Sequence, residues 1–561
     1  MRRWARTPAS SSKRTLEFDL SRNLEKTTAH ESPRAGNEQK QIARRAGIVS
    51  AGTLASRLLG LVRDQTMAAV FSRGVTDAFF VAFTIPNVLR QLLAEGAVQS
   101  AVLPVLAKTR EAQGEEEAKR FFRATRGLSL SILLVTTLVG VVLAPQLVEL
   151  FASGYSELPG QTERTVQLTR WVFPYIFFMG TAALGVAALN THQRFVATSF
   201  APGLLNVAFI VCSLTLPGWL MATGRDGAMA LAAAVLIGGA LQVVAQWPSL
   251  KAIGYFERPS FEWSHPGVRE ALGRMLPVMF GMGVYYIDVV LARRFLSELG
   301  LGAQSYYGWA LRLCDFPQGI FVMALQTAAL PSLSKLAARG DLDEVSRTYA
   351  FGMRLTLFVS VAATVLFMGL AEPLVVLLFQ RGEFDGIAAR ETARALIAQG
   401  AGIWLVASVR QLTSTYYALG DTRTPVIVAA VDLCAFIGLA LLLRPSFGHV
   451  GISMAVTGAS LVQAVLLWVG LGKRLPNRRT REIAISGGRT LLAAGAAVVV
   501  GRLVVSALAG GEGALGLALP GAAGATAFAL AFLLLSWGLR SDELLLVSAP
   551  LARRLRKKPA A

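Results

Sequence analysis

Long apolar stretches separated by short polar connections run along the chain from about residue 46 to about residue 538. A membrane-spanning helix needs about 20 mostly apolar residues, and on that measure the pattern predicts about fourteen spans. The predicted spans are 46–70, 76–107, 124–151, 167–190, 198–220, 227–248, 270–297, 303–334, 351–379, 390–418, 425–443, 449–471, 484–508 and 516–538. The predicted fold class is therefore an all-α polytopic membrane protein.

The chain also repeats itself at a distance of about 230 residues. Ala97–Lys108 (AVQSAVLPVLAK) returns without a gap as Ala324–Lys335 (ALQTAALPSLSK), and Ala188–Thr191 (ALNT) returns at nearly the same distance as Ala418–Asp421 (ALGD). Two echoes at one distance indicate two copies of a six-helix unit. An even number of spans in each copy makes the repeat parallel, the arrangement of two-lobed secondary transporters with a site between the lobes.

These patterns divide the chain into five predicted parts. They are a disordered cytoplasmic N-terminal tail (1–42), a first six-helix lobe (43–250), a second six-helix lobe (251–475), two additional transmembrane helices (476–540) and a basic cytoplasmic tail (541–561). Lys and Arg concentrate on alternate connections and on the C-terminal tail, so the positive-inside rule places both termini in the cytoplasm.

Composition agrees with a membrane protein, since 53% of the 561 residues are hydrophobic, 16% are charged and the mean hydropathy is +0.51. The net charge of +20 is typical of cytoplasmic loops on a membrane protein, and we do not expect it to bind nucleic acid. The basic tail can touch anionic headgroups of bilayer lipids, although a solvated tail is the simpler interpretation.

The first two spans carry six charged side chains: Arg57, Arg63, Asp64, Asp77, Arg90 and Glu95. A charge at bilayer depth costs at least about 2.5 kcal/mol, so such residues normally face a watery cavity and mark a pathway. Span eight has the same character, with Arg312, Asp315 and Pro317. Because guanidinium groups match phosphate oxygens bidentately, arginines from both lobes indicate a phosphate or pyrophosphate ligand.

A network of structural ion pairs is the alternative. Arg312 could pair with Asp315, Arg63 with Asp64 or Asp77, and Arg90 with Glu95. Arg57 has no acid within one turn of its own helix, which favours a ligand. The acids Asp288 in span seven and Asp432 in span eleven are candidate proton or sodium sites. Asp432 is equally a candidate partner for Arg410.

Several long motifs resemble the MurJ/MviN family. They are SRLLGLVRD (56–64), TDAFFVAF (76–83), PNVLR (86–90), AEGA (94–97), FPQG (316–319), LPSLSK (330–335), LFQRGEF (378–384) and YALGDTRTPV (417–426). The resemblance implies a lipid II flippase of the multidrug/oligosaccharidyl-lipid/polysaccharide exporter superfamily in the bacterial cytoplasmic (inner) membrane. Such a protein is a secondary-type transporter and not an enzyme, and its substrate is the undecaprenyl-pyrophosphate-linked peptidoglycan precursor.

The resemblance also implies roles for residues. It places Arg57, Arg63, Arg90 and Arg312 in a central substrate-binding cavity, and it assigns Asp77, Glu95 and Asp315 to gating or charge balance. Some members bind sodium, and here Asp288, Asp432 and Thr457 are the candidate ligands. Phe436 and Ala440 stand near positions that hold amides in those members, so proton coupling or the membrane potential is the alternative energy source.

Three other functions remain open at this point. A cation-coupled exporter of another lipid-linked oligosaccharide or of a drug would belong to the same superfamily, but a cation exporter needs an acidic cavity. A membrane-embedded glycosyltransferase or ligase needs catalytic acids on a sizeable loop, and the loops are short. A scaffold for cell-wall synthesis proteins is conceivable as a second role. The sequence has no GxxxxGK[ST] loop, which excludes nucleotide hydrolysis by a P-loop.

Overall fold

The computed structural model describes residues 33–92, 96–319, 323–475, 477–511 and 513–545, and the regular elements in these ranges are helices. Ten helices there are long and apolar enough to cross a membrane. The all-α polytopic membrane class is thereby confirmed, while the count of fourteen spans and the domain boundaries stay predictions.

The described residues of the first half of the chain, here called the first lobe, form nine α-helices. They are α1 (Pro33–Val70), α2 (Arg73–Arg90), α3 (Gly96–Gln113), α4 (Glu115–Val142), α5 (Ala144–Ala152), α6 (Gln161–Val172), α7 (Tyr175–Thr191), α8 (Phe195–Ala222) and α9 (Met229–Ala252). A short 3₁₀ helix, Ser153–Glu157, connects α5 to α6.

The second lobe repeats this series of elements. It consists of α10 (Pro266–Ser297), α11 (Ala303–Pro317), α12 (Met323–Ala338), α13 (Leu342–Gly369), α14 (Ala371–Phe379), α15 (Gly386–Gly400), α16 (Ile403–Ala418), α17 (Arg423–Phe447) and α18 (His449–Leu471). Two further helices follow, α19 (Thr480–Leu508) and α20 (Gly513–Gly538), and they pack against α13 and α14.

Predicted spans two and eight are each divided into two helices. α2 is followed by a π-helical turn at 91–92 and α11 by one at 318–319, and the helix resumes as α3 and α12. Pro86 lies inside α2 and Pro317 ends α11. Since proline removes a hydrogen bond from its helix, each lobe has a weakened stretch of helix at the corresponding place.

The ten apolar helices do not include the helices of predicted spans one, two, seven and eight. These are α1, α2, α3, α10, α11 and α12, and they contain the described charged residues that the sequence analysis selected as candidate site residues, except Asp432 of α17. Charge inside a span is tolerated where the helix faces protein or water. The division therefore separates helices of apolar composition from helices that carry charge within a predicted span.

The two lobes share a buried aromatic core near one end of the molecule. Phe80 of α2 packs edge-on against Trp309 of α11 with ring centroids 4.9 Å apart, and Trp309 contacts Phe379 of α14 at 5.4 Å. We call this end, with the turns at 71–72, 300–302 and 380–385, the outer end, after the predicted orientation. The opposite end, with the turns at 192–194, 253–265 and 419–422, is the inner end.

Candidate functional site

Arg57 lies in α1, and its guanidinium rests against the break between α11 and α12 of the second lobe. A β-carbon added at Gly319 would lie 2.2 Å from Nη2 and 2.5 Å from Nη1 of Arg57. The Nε of Arg57 is buried and has no hydrogen-bond partner. Because an unpaired buried donor is costly, this guanidinium is suited to receive an anion.

Asp64, two turns after Arg57 along α1, lies between two arginines. Its Oδ1 is 2.7 Å from Nη2 of Arg63, and its Oδ2 is 3.5 Å from Nε of Arg312 in α11. The Asp64 side chain is only 8% exposed. The pairing of Arg63 with Asp64 was one of the predicted alternatives, whereas Arg312 pairs with Asp64 across the lobe boundary. One carboxylate shared by two guanidinium groups leaves a net positive charge.

Aromatic and amide groups position these arginines. The guanidinium carbon of Arg63 lies 5.5 Å from the ring centre of Phe209, and that of Arg312 lies 5.9 Å from Phe80. Asn206 of α8 accepts a hydrogen bond of 3.0 Å from Nη1 of Arg63. The sequence analysis missed all three supporting residues. The single sequence feature that could have indicated one of them is that Asn206 is an asparagine within an otherwise apolar span.

Asp77 joins the lobes without an arginine partner among the described residues. This carboxylate of α2 accepts hydrogen bonds from the backbone N–H of Gly302 at 2.5 Å, the backbone N–H of Ser305 at 2.7 Å and the hydroxyl of Ser305 at 2.5 Å. It therefore caps the first turn of α11, where unpaired N–H groups favour a negative charge. The predicted gating role stays a prediction, and these contacts show which groups it would involve.

Arg90 ends α2 at the break in span two. Its Nε donates a hydrogen bond of 2.9 Å to Oδ1 of Asn87, one turn earlier. Glu95, the other predicted residue at this break, lies outside the described residues. Arg90 thus lies at the end of α2, at the break that corresponds to the one beside Gly319 in the second lobe.

Asp315 lies in α11, one turn after Arg312. The positively charged groups that act on its carboxylate are Arg312, Arg410 and Arg57. Arg312 forms its ion pair with Asp64 instead. Asp315 thus contributes negative charge close to the arginine cluster. The gating or charge-balance role that the family resemblance implied for it stays a prediction.

Contacts between the lobes close the outer end. Nη2 of Arg73 lies 2.5 Å from Oδ2 of Asp385, and Nη1 of Arg73 donates to the Tyr306 hydroxyl at 3.0 Å. The backbone N–H of Glu383 donates to the carbonyl of Ala69 at 2.9 Å. With the contacts of Asp77, these bonds tie α1 and α2 to α11 and to the loop before α15. The sequence analysis assigned no role to Arg73 or Asp385.

The structure brings together two of the three candidate sodium ligands. Asp432 of α17 acts electrostatically on Asp288 of α10, whose Oδ1 is buried without a hydrogen-bond partner. Thr457 is elsewhere engaged, because its hydroxyl donates to the carbonyl of Ala398 at 2.8 Å. Groups of three or more His, Cys, Asp or Glu side chains suited to a metal are absent from the described ranges. Two carboxylates that act on each other suit a proton or a monovalent cation, and the assignment of either as a sodium ligand stays a prediction.

Comparison with known proteins bears on this arrangement. A family model described as lipid II flippase MurJ matches residues 67–523. The lipid II flippase MurJ of Burkholderia cenocepacia is 35% identical over 431 residues, which cover 76% of this chain and 83% of that protein. The probable lipid II flippase MurJ of Vibrio cholerae is 33% identical over 475 residues, which cover 83% of this chain and 89% of that protein.

Solved structures agree in fold. A lipid II flippase MurJ in an inward closed conformation matches with a TM-score of 0.71 at 22% identity, covering 88% of this chain and 99% of that one. An inward-facing multidrug resistance transporter of the MATE family, within the MOP superfamily, matches with a TM-score of 0.63 at 14% identity, covering 76% of this chain and 96% of that one. At these identities the likeness concerns the fold alone.

Proposed function

The chain belongs to the MurJ family of lipid II flippases, and on that premise we propose that it moves lipid II from the cytoplasmic to the periplasmic leaflet of the bacterial inner membrane. The family is one of transporters, so no catalytic residue is assigned. Relatives with this name cover three quarters or more of the chain, and the family model matches residues 67–523, which include the charged helices α2, α10 and α11 and the last residues of α1.

We propose that the pyrophosphate of lipid II binds at the arginine cluster. The observation that carries this proposal is the Arg57 guanidinium, which lies at the lobe boundary with a buried Nε that has no partner. Arg63 and Arg312, which share only Asp64, add positive charge beside it. Arg90 completes the set from the opposite helix break. Guanidinium groups at several angles suit the oxygens of a pyrophosphate, while the polyprenyl chain stays in lipid.

Transport then follows alternating access, in which the lobes rock about the arginine cluster. With the outer end closed, the headgroup enters from the inner end through a gap between the lobes. Opening toward the periplasm requires the bonds of Asp77 to the start of α11 and the Arg73–Asp385 ion pair to break. A headgroup that bridges Arg57 and Arg312 competes with Asp64 and so changes the balance between the two arrangements.

We also propose how transport is coupled to energy. The carboxylates of Asp288 on α10 and Asp432 on α17 repel each other, and binding of a proton or a sodium ion would relieve that repulsion. Binding of that cation from the periplasm would make the protein a secondary transporter. The membrane potential acting on the arginines is the other source of energy.

Location and partners complete the proposal. Both termini lie in the cytoplasm, as the positive-inside rule predicts. The partners are lipid II, the surrounding bilayer lipids and, in a second role, proteins of cell-wall synthesis. The second candidate function is export of another lipid-linked oligosaccharide or a drug, which the structural likeness to a MATE transporter favours. The cationic cluster favours an anionic lipid-linked substrate over a cationic drug.

The test is depletion of the protein in its own cells, followed by assignment of lipid II to the inner or outer leaflet. We expect lipid II to accumulate in the inner leaflet and the cells to lyse. Arg57→Ala and Arg312→Ala, each shown to insert normally, should not restore transport, whereas the control Arg225→Ala, an exposed arginine of an outer loop, should. An unchanged leaflet distribution in cells without another flippase would contradict the proposal.

A further inference from the structure

A strap formed by residues 253–265 crosses the inner end of α4. The backbone N–H of Ser260 donates to the carbonyl of Arg123 at 3.0 Å, and Nη1 of Arg123 lies 2.9 Å from Oε2 of Glu257. A β-carbon at Gly127 would lie 1.9 Å from the carbonyl oxygen of Ser260. The strap thus lies directly on the surface of α4, and a glycine is required there.

The strap presents aromatic side chains away from the protein. Phe261 is 68% exposed and Trp263 is 51% exposed. Farther along the same side of α4, Leu134 and Leu138 are also exposed, which marks this side as facing lipid. Aromatic residues at the end of a lipid-facing helix favour the level of the headgroups. The strap therefore lies at the inner membrane interface.

An apolar cavity of about 190 Å³ opens beside the strap, between α4 and α10. Its lining includes Leu128, Ile132, Val268, Leu272 and Leu276. Leu276 is 55% exposed, so the cavity opens toward the lipid. The hydroxyl of Thr125 at its wall is buried without a partner. The volume and the apolar lining suit part of a hydrocarbon chain.

A cation stands at the inner end of this cavity. Arg269 is exposed and lies three and seven residues before Leu272 and Leu276, so it shares their face of α10. The adjacent acid, Glu270, is already occupied by Lys108 and Arg274. Arg269 is therefore available to an anion at the level of the headgroups.

We propose that the α4–α10 cavity, Arg269 and the strap form a binding site for an anionic phospholipid of the inner leaflet. Part of one acyl chain fills the cavity and the rest lies along the lipid-facing surface, the phosphate lies against Arg269, and Trp263 covers the glycerol region. Such a lipid would fill the space between α10 and the first lobe. The site is separate from the arginine cluster, and the proposal does not depend on which substrate the protein transports.

The test uses the full chain purified with mixed phosphatidylglycerol and phosphatidylcholine of identical acyl chains, with retained lipid measured by native mass spectrometry. We expect the wild type to retain phosphatidylglycerol preferentially, and Arg269→Gln to lower that preference about fivefold. The matched control is Arg258→Gln, which removes an exposed arginine of the strap outside the cavity. Ser129→Leu, which fills the cavity, should lower retention of both lipids.

Three results would overturn the proposal. One is that Arg269→Gln retains phosphatidylglycerol with the same preference as the wild type. Another is an equal loss in Arg258→Gln, which would mean diffuse attraction to the basic surface. The third is retention of an added polyprenyl phosphate with no retention of phosphatidylglycerol, which would assign the site to the lipid anchor of a substrate. Melting temperature and elution volume establish that each variant is folded. If Ser129→Leu does not fold, Leu276→Ala tests the cavity in its place.

Discussion

The guanidinium of Arg57 covers Gly319 across the lobe boundary, with Nη2 only 2.2 Å from the place where a β-carbon would stand. The arginine belongs to the first helix of one lobe and the glycine to the helix break of the other. The absence of a side chain at residue 319 is therefore what allows the cation to reach the break. The two residues act as one unit of the candidate site.

Gly319→Ala should move the Arg57 guanidinium and lower transport while leaving the fold intact, because the displaced group is the end of a flexible side chain. The check is complementation of depleted cells together with the melting temperature of the purified variant. Gly438→Ala is the control, since no atom lies within 4 Å of its added β-carbon. Full complementation by Gly319→Ala would show that the position of Arg57 against the break does not matter.

The sequence was sufficient to identify the helices that carry charge. It was insufficient to predict which of their charged side chains form ion pairs with each other. The cost of a charge in lipid made Arg57, Arg63 and Arg312 recognisable as residues that would lie away from lipid. Spacing along one helix could not reveal that Asp64 bridges to Arg312 in the other lobe. Pairing across lobes depends on how helices far apart in the chain pack together.

The partners of Asp77 could not be predicted from the sequence either. As an acid near arginines in the sequence, it suggested an ion pair, yet its carboxylate accepts hydrogen bonds from the start of α11. Helix N-termini compete well for carboxylates because several N–H groups converge there. The outer ion pair of Arg73 and Asp385 was missed because charges near loop ends are common and carry no distinctive pattern.

Asp77→Ala should destabilise the closed outer end, because it leaves the N–H groups of Gly302 and Ser305 without their acceptor. We expect a loss of about 2 kcal/mol in the free energy of unfolding. Denaturant unfolding in lipid–detergent micelles measures that loss. Asp77→Asn, which keeps one acceptor oxygen, should lose less.

A double-mutant cycle separates this contact from general damage. Because the hydroxyl of Ser305 donates to Asp77, Asp77→Ala and Ser305→Ala should couple by about 1 kcal/mol. Thr84→Ala is the control partner, since its hydroxyl bonds to the backbone of its own helix. Strict additivity of Asp77→Ala with Ser305→Ala would refute the proposed link between the lobes.

Gly382→Ala should destabilise the closed outer end by more than the backbone strain that an alanine at this left-handed position causes by itself. Gly382 has φ +57° and its β-carbon would lie 2.1 Å from the carbonyl oxygen of Ala69 in α1, whereas Gly224 has φ +74° with nothing within 4 Å. In each variant the left-handed backbone of the alanine destabilises the folded protein by about 1–2 kcal/mol. An additional loss in Gly382→Ala alone reports the contact between the lobes.

The measurement is the distance between spin labels at the outer end, one on Ser156 of the first lobe and one on Ile387 of the second, in a chain whose three cysteines are replaced. Both positions are exposed. Gly382→Ala should lengthen the distance, and Gly224→Ala should leave it unchanged. Equal distances in the two variants would mean that this loop does not hold the lobes together.

Glu543→Gln should loosen the attachment of residues 541–545 to the second lobe and to α19. Oε1 of Glu543 accepts hydrogen bonds from Nε of Arg354 at 2.7 Å and from the hydroxyl of Ser486 at 2.8 Å. Burial alone would raise the pKa of this carboxyl, but hydrogen bonds from its own backbone, Ser541, Ser486 and Arg354 together hold the pKa below its usual range. We expect a loss of about 1 kcal/mol at neutral pH.

The pH dependence identifies the carboxylate as the cause. A pKa that is lower in the folded state gives stability that is fully present above the unfolded value of about 4.3 and is lost as the pH falls through the folded value. The difference in unfolding free energy between wild type and Glu543→Gln should therefore shrink below about pH 4.3. Asp542→Asn is the matched control, because Asp542 pairs with the same Arg354 but is 71% exposed, and surface pairs contribute little. A difference that stays constant down to pH 3, or an equal loss in Asp542→Asn, would mean that the buried charge of Glu543 does not hold this segment in place.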